Sequence, residues 1–232
     1  MKKLIKEIIY SFILLFRPRR EVVLLYHSVA DNNKYSTVKT AEFERQMKYL
    51  YENNLKPLIT FDDGLYNFYI NAYPILRKYS LSATVFVSTN TIGRVMSYSD
   101  GLELPVLDEN QIKEMATSGF IQFGSHCHNH TRLTELTDQE TGNELKISKD
   151  ILEKLLNKEV KTFAYPKGAV DERTKRLVGV YYDFAYTIEP GYVTSETDPL
   201  LIYRNQIDSS VSLSQFKCIS RFKRLKFFGY GK

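Results

Sequence analysis

The sequence predicts an α/β fold, a single-domain, distorted or incomplete (β/α)7 barrel. Short apolar runs of strand length alternate with amphipathic helical segments, and this alternation continues without linkers, repeats or low-complexity segments. Histidines and an acidic pair follow several of the apolar runs, where a parallel sheet would gather them. A chain of 232 residues and 27.0 kDa is of the right length for one such domain.

Strands and helices are predicted to alternate along most of the chain. The predicted strands are 22–26, 57–61, 83–87, 120–124, 162–165, 184–188 and 200–203. The predicted helices are 40–53, 67–79, 108–119, 137–156 and 171–180. Thr40 is the expected cap of the first helix, and capping boxes are expected at Asp108 with Gln111 and at Thr137 with Glu140. The loop 88–107 is long enough to be functional.

The two ends of the chain carry its excess of basic charge, which gives a net charge of +5. Residues 1–20 are predicted to form an amphipathic helix that lies on an anionic membrane surface. The alternatives are that the helix packs on the domain or that it is an uncleaved signal anchor. Residues 21–208 predict the catalytic domain, and 209–232 a basic, aromatic tail. Nucleic-acid binding is not expected, because the basic residues are terminal rather than spread over a sheet face.

The chain contains no run of 18 apolar residues and therefore no ordinary transmembrane helix. Two cysteines cannot form a disulfide framework, which favours a reducing compartment. The expected location is the cytoplasm or the cytoplasmic face of the membrane, in peripheral contact with anionic lipid. Export with an uncleaved N-terminal anchor is the alternative.

A stretch of six residues, 59–64 (ITFDDG), is the strongest chemical signal. Two adjacent carboxylates at the end of an apolar strand repel each other, and a bound cation would relieve that repulsion. The nearest cluster of cation ligands is 126–130 (HCHNH). One aspartate would then bind a divalent metal while the other acts as a base. Read alone, Asp-Asp-Gly is also typical of an ordinary turn.

Reactive side chains follow four different predicted strands. His27 follows the first strand, Asp62 and Asp63 the second, His126 and His130 the fourth, and the Pro-Lys-Gly segment 166–168 the fifth. Because the reactive groups of such barrels gather at the C-terminal ends of the strands, we expect these side chains to converge. The chain has only four histidines, and all lie within or just beyond strand ends.

Four motifs carry a resemblance to a known family. They are LLYHSV (24–29), TFDDG (60–64), GSHCHNH (124–130) and FAYPKG (163–168). Together they resemble the polysaccharide deacetylases (carbohydrate esterase family 4), in the circularly permuted type with the histidine motif at the N-terminus. The resemblance spans about residues 22–203.

The resemblance implies a metal site and an acid–base pair. Asp63, His126 and His130 would be the metal ligands, and this donor set suits Zn²⁺, with Co²⁺, Ni²⁺ or Mn²⁺ as alternatives. Further roles are implied for Asp62 as general base, His27 as general acid, the Lys167 backbone N–H as oxyanion donor, and Tyr165 and Pro166 as substrate contacts.

One departure from the family pattern concerns the charge partner of the base. Ala164 stands where many members place an arginine that pairs with the catalytic aspartate. Arg204 is the candidate replacement, and a surface ion pair is its alternative role.

The expected function is a metal-dependent hydrolase that removes N-acetyl or similar acyl groups from an amino sugar. Its partner would be an N-acetylated glycan or a lipid-linked saccharide. The alternative is a glycan-binding protein of the same fold that has lost turnover.

Overall fold

A computed structural model describes residues 21–32, 36–98 and 101–220 of the chain. The predicted amphipathic helix of residues 1–20 lies outside the described residues, as do the last residues of the predicted tail, 221–232. Within the described part, no helix is both long enough and apolar enough to cross a bilayer.

Seven parallel strands form a curled half-barrel, which confirms the predicted incomplete (β/α)7 barrel. The strands are β1 (Val23–Tyr26), β2 (Leu58–Phe61), β3 (Ala83–Val87), β4 (Ile121–Ser125), β5 (Thr162–Ala164), β6 (Phe184–Tyr186) and β7 (Asn205–Gln206). Their order across the sheet is β6-β5-β4-β3-β2-β1-β7. The first strand in the chain therefore pairs with the last, through Leu24 with Asn205 and Leu25 with Gln206.

The predicted seventh strand, 200–203, is wrong. Within it only Ile202 forms a bridge, to Tyr186 of β6, and the segment then leaves that edge. The Arg204 N–H donates to the Glu189 carbonyl (3.0 Å), and the next two residues are β7. The segment crosses from the edge of β6 to the edge of β1, so too few residues stay beside either strand to extend the ladder. Segment 199–206 thus spans the seam of the half-barrel.

The helices cover the outer face of the sheet. They are α1 (Thr40–Glu52), α2 (Tyr73–Lys78), α3 (Glu109–Thr117), α4 (Asp138–Leu156), α5 (Glu172–Tyr181) and α6 (Leu213–Ser220). Both predicted capping boxes are present, at the start of α3 and of α4. The prediction of Thr40 as a cap is wrong: Lys39 precedes the helix, and the Thr40 N–H donates to Asp31 Oδ1 (3.1 Å).

The predicted helix 67–79 is divided. A π-helical segment, Phe68–Ala72, precedes α2. Pro74, near the start of α2, has no N–H and cannot make the hydrogen bond to residue i−4 that an α-helix requires. The wider π-helical turn before α2 accommodates this missing hydrogen bond.

The predicted loop 88–107 contains regular structure. It contains the short helical turn Thr89–Thr91 and an antiparallel hairpin, Val95–Ser97 with Glu103–Pro105. Buried Met96 and Val106 pack with Leu65, which gives the hairpin an apolar cluster of its own. We refer to it below as the 95–105 hairpin.

Apolar clusters lie on both faces of the sheet. The largest lies between the sheet and the helices, and it includes Phe216 of α6, whose ring meets Tyr49 of α1 at 6.3 Å. The beginning of the predicted tail therefore packs on the domain. Inside the curl of the sheet lies a small cluster composed of Val23, Phe86, Ala164, Tyr186 and Ile202.

Candidate active site

A tight turn follows β2, and the carboxylates of its first two residues, Asp62 and Asp63, have different partners. Asp62 and Asp63 are only 2% and 1% exposed. Asp63 has a left-handed backbone (φ 69°), as does Gly64 (φ 61°). A Cβ at Gly64 would lie 3.0 Å from Val87 Cγ2, so glycine satisfies both the backbone and the space. Left-handed backbone at a non-glycine residue is strained and is common at functional sites.

Asp63 lies against both predicted histidine ligands. Its Oδ1 is 3.6 Å from His126 Nε2 and 3.3 Å from His130 Nε2. One ligand atom from each of the three residues lies within 4.8 Å of the other two. Among the residues that the structure describes, this is the one such group of histidine, cysteine and acidic side chains.

The His126 ring is fixed in the tautomer that a metal ligand requires. Its Nδ1 lies 2.8 Å from the Ala164 carbonyl, which can only accept, so Nδ1 carries the proton and Nε2 keeps its lone pair. Burial lowers the pKa of His126 to about 4, so the ring is neutral at pH 7. One carboxylate oxygen and an imidazole nitrogen held in this way, with His130 beside them, fit a divalent transition metal.

Glu144 of α4 holds the turn between the two histidines. Its Oε2 accepts from the backbone N–H groups of His128 (3.0 Å) and Asn129 (2.8 Å). Cys127 and His130 both have left-handed backbone within this turn. The carboxylate thus stabilises a conformation that ordinary residues disfavour, and it brings the rings of His126 and His130 to 4.9 Å.

Replacing Glu144 by alanine is expected to weaken Zn²⁺ binding about 10-fold or more, because the turn loses the acceptor of two backbone N–H groups. Competition with a chelating dye measures the affinity. Glu159→Ala is the control, since Glu159 lies outside the site and makes an exposed ion pair with Lys161 (3.2 Å). Equal affinities in the two variants would show that Glu144 does not support the histidine turn.

Asp62 is paired with Arg204 inside the half-barrel. The guanidinium donates from its two terminal nitrogens to the two carboxylate oxygens, at 2.6 and 2.7 Å, and its Nε donates to the Thr187 carbonyl (2.7 Å). Arg204 is fully buried, so the alternative of a surface ion pair is wrong. Burial raises the pKa of Asp62, but the charge and the hydrogen bonds of Arg204 outweigh it and hold that pKa below its ordinary value. Asp62 is therefore ionised at neutral pH.

His27 lies at the same mouth, directly after β1. β1 is the immediate neighbour of β2, with Tyr26 paired to Phe61. His27 and Asp62 therefore follow neighbouring strands at the same end of the sheet.

The segment after β5 places a backbone turn near the mouth but buries two predicted substrate contacts. Lys167 has left-handed backbone (φ 57°), and a Cβ at Gly168 would lie 2.3 Å from Ile188 Cγ1. Tyr165 is fully buried, and its hydroxyl donates to the Leu200 carbonyl (3.0 Å). Pro166 is buried as well. The expected substrate contacts of the Tyr165 and Pro166 side chains are therefore wrong.

Sequence reasoning missed Tyr98. Its hydroxyl donates to Asp63 Oδ2 (2.8 Å), whereas the ion-pair distances to His126 and His130 are measured from Oδ1. Neither motif nor spacing marks this residue. The only signal was the length of the loop that contains it.

A sequence profile of the polysaccharide deacetylase family matches residues 55–182, more than half of the chain. YxkH of Bacillus subtilis is 31% identical over 222 residues, which cover 86% of this chain and 76% of YxkH. The chain belongs to the polysaccharide deacetylase family. The resemblance inferred from the four motifs is thereby confirmed.

Other polysaccharide deacetylases are similar over most of their length. The poly-β-1,6-N-acetyl-D-glucosamine N-deacetylase of Staphylococcus aureus is 26% identical over 210 residues, covering 78% of this chain and 71% of that enzyme. The crystal structure of a polysaccharide deacetylase from Bacillus cereus superimposes with a TM-score of 0.77 at 29% identity, covering 88% of this chain and 69% of that one. Streptococcus pyogenes deacetylase PplD, in complex with acetate, gives 0.78 at 25% identity, covering 88% and 99%. These relatives support a carbohydrate deacetylase.

Proposed function

We propose that this member of the family is a metal-dependent hydrolase that removes N-acetyl groups from an amino sugar of a glycan. The observation that carries the proposal is the convergence of Asp63, His126 and His130 on one point, beside an aspartate paired with a buried arginine. Similarity to the S. aureus enzyme named for poly-β-1,6-N-acetyl-D-glucosamine supports a polymer of N-acetylglucosamine as the substrate class.

Asp63, His126 and His130 would hold the metal. Their mixed nitrogen and oxygen donors favour Zn²⁺, and Co²⁺, Ni²⁺ or Mn²⁺ are the alternatives. When bound, such an ion supplies Lewis-acid activation of the amide carbonyl and of the attacking water.

The protein's own groups would manage the protons. Asp62, ionised and held by both arms of the Arg204 guanidinium, is oriented to take a proton from the attacking water. His27, at the end of the neighbouring strand, would donate a proton to the departing amine, because the amine is too poor a leaving group to depart as an anion. The Lys167 backbone N–H would donate to the negative charge that develops on the carbonyl oxygen.

The competing proposal is a glycan-binding protein that has lost turnover. The presence of an acid, a base and three ligand groups at one mouth argues against it, because a binding site needs no ionised base held by a buried guanidinium. A functional assay separates the two proposals.

The test is acetate release from β-1,6-linked N-acetylglucosamine oligomers, with a lipid-linked N-acetylated saccharide as a second substrate. Removal of metal by a chelator is expected to abolish release, and addition of Zn²⁺ to restore it. Binding of the oligomers without acetate release by the Zn²⁺-loaded protein would favour the glycan-binding alternative. Release that is unaffected by complete removal of metal would contradict the metal-dependent mechanism.

A further inference from the structure

We infer that Tyr98 is a positioning residue for the metal site. Its hydroxyl holds one oxygen of Asp63, so that the other oxygen faces the two imidazoles. The inference rests on the proposed function, because it gives the Asp63 carboxylate the role of a ligand. It adds a residue of the 95–105 hairpin region to a site otherwise built from strand ends.

The two oxygens of Asp63 face different partners. Oδ2 accepts from the Tyr98 hydroxyl at 2.8 Å, whereas Oδ1 lies 3.3 Å from His130 Nε2 and 3.6 Å from His126 Nε2. A carboxylate without a second partner can turn about its terminal bond or offer both oxygens to a cation. A donor on one oxygen restricts that rotation and presents the other as a single ligand.

The hydrogen bond has the polarity that this role requires. The Tyr98 hydroxyl is the donor and Asp63 Oδ2 is the acceptor, at 2.8 Å. A carboxylate held in this way gives a charge-assisted hydrogen bond, which is stronger than one between neutral groups.

The backbone fixes both ends of this hydrogen bond. The Tyr98 N–H donates to the Leu102 carbonyl (2.8 Å), directly beyond the paired strands of the 95–105 hairpin. At the base of the hairpin, the Leu107 N–H donates to the carbonyl of Gly64 (2.9 Å), the residue that follows Asp63. Leu65 in turn forms a bridge with Val106. The donor and the acceptor therefore belong to one connected piece of structure.

The test compares two Tyr→Phe variants of the full chain. Tyr98→Phe removes the hydroxyl that bonds Asp63. Tyr69→Phe is the matched control, because the Tyr69 hydroxyl also donates to a carboxylate at 2.8 Å, that of Glu114, at an exposed position outside the site. Zn²⁺ affinity is measured by competition with a chelating dye. We expect a loss of about 10-fold or more for Tyr98→Phe and a change of less than about 2-fold for Tyr69→Phe.

A second readout distinguishes positioning from a general loss of stability. The Co²⁺-loaded Tyr98→Phe protein is expected to show an altered visible absorption spectrum, because the ligand field changes when the Asp63 carboxylate is released. Melting of the metal-free proteins is expected to show that both variants fold. The same spectrum and affinity as in the wild type would overturn the inference.

Two further results separate this inference from the proposed function. If Asp63→Asn abolishes Zn²⁺ binding while Tyr98→Phe leaves it unchanged, the metal site stands and the role of Tyr98 is overturned. A raised KM with unchanged Zn²⁺ affinity would likewise overturn it, by making Tyr98 a substrate contact. If Asp63→Asn binds Zn²⁺ as the wild type does, the proposed metal site itself fails.

Discussion

The Asp62→Asn variant is expected to lose about 10²- to 10⁴-fold in kcat for acetate release while it still binds Zn²⁺. Asparagine has nearly the same shape but cannot take a proton from water. The three proposed metal ligands are unchanged in this variant. The measurement pairs steady-state acetate release with Zn²⁺ affinity on the same preparation.

The control for this variant is Asp183→Asn. Asp183 makes an exposed ion pair with Lys161 (3.4 Å), and its replacement is expected to leave kcat unchanged. A kcat for Asp62→Asn within about 3-fold of the wild type would contradict the role of Asp62 as general base. It would direct attention to His27, the other proposed acid–base group.

The Arg204→Met variant is expected to lose about 3–5 kcal/mol in the free energy of unfolding at neutral pH. Methionine fills much of the volume but leaves the carboxylate of Asp62 buried without its bidentate partner. Chemical denaturation measures the loss. The control is Arg45→Met, because Arg45 makes an ion pair with Glu42 (3.1 Å) at an exposed position, where about 1 kcal/mol or less is expected.

The stability loss of Arg204→Met is also expected to depend on pH. In the wild type the pKa of Asp62 is lowered, mainly by Arg204 against the opposing effect of burial, so its contribution is present above the unfolded pKa and fades as pH falls. In the variant, burial raises the pKa of Asp62 without the opposing effect of Arg204. The free-energy cost of the buried carboxylate then grows as pH rises. The difference between the two proteins should therefore shrink towards pH 3–4. A difference that is constant from pH 4 to pH 8 would contradict an ionised Asp62.

The parts of the site that could be predicted are those whose chemistry restricts the residue type. A metal and an acid–base pair require histidine and aspartate, and parallel strands deliver them at their C-terminal ends, so Asp62, Asp63, His126 and His130 could be proposed from sequence alone. Capping boxes were predictable for a similar reason: the signal is local, and it names both partners, as with Asp108 and Gln111.

The parts that could not be predicted depend on contacts between distant segments. Tyr98 reaches Asp63 only because a hairpin folds over Leu65, and no local pattern encodes that packing. Tyr165 lies in a motif of the family, yet its side chain is buried and its hydroxyl donates to the Leu200 carbonyl. The motif alone does not reveal this contact. The strand β7 could not be predicted, because its two residues are too few to show the alternation that is typical of a strand.

The pairing of β1 with β7 has a consequence for how the protein is made. His27 follows the first of the seven strands and Arg204 immediately precedes the last, so the proposed proton donor and the partner of the proposed base are far apart in the sequence, although their strands are neighbours in the sheet. During synthesis, the ribosome must release nearly the whole domain before these groups can meet. A nascent or prematurely terminated polypeptide that lacks β7 would therefore be inactive towards glycans. Activity would be gained only after the last strand has been translated.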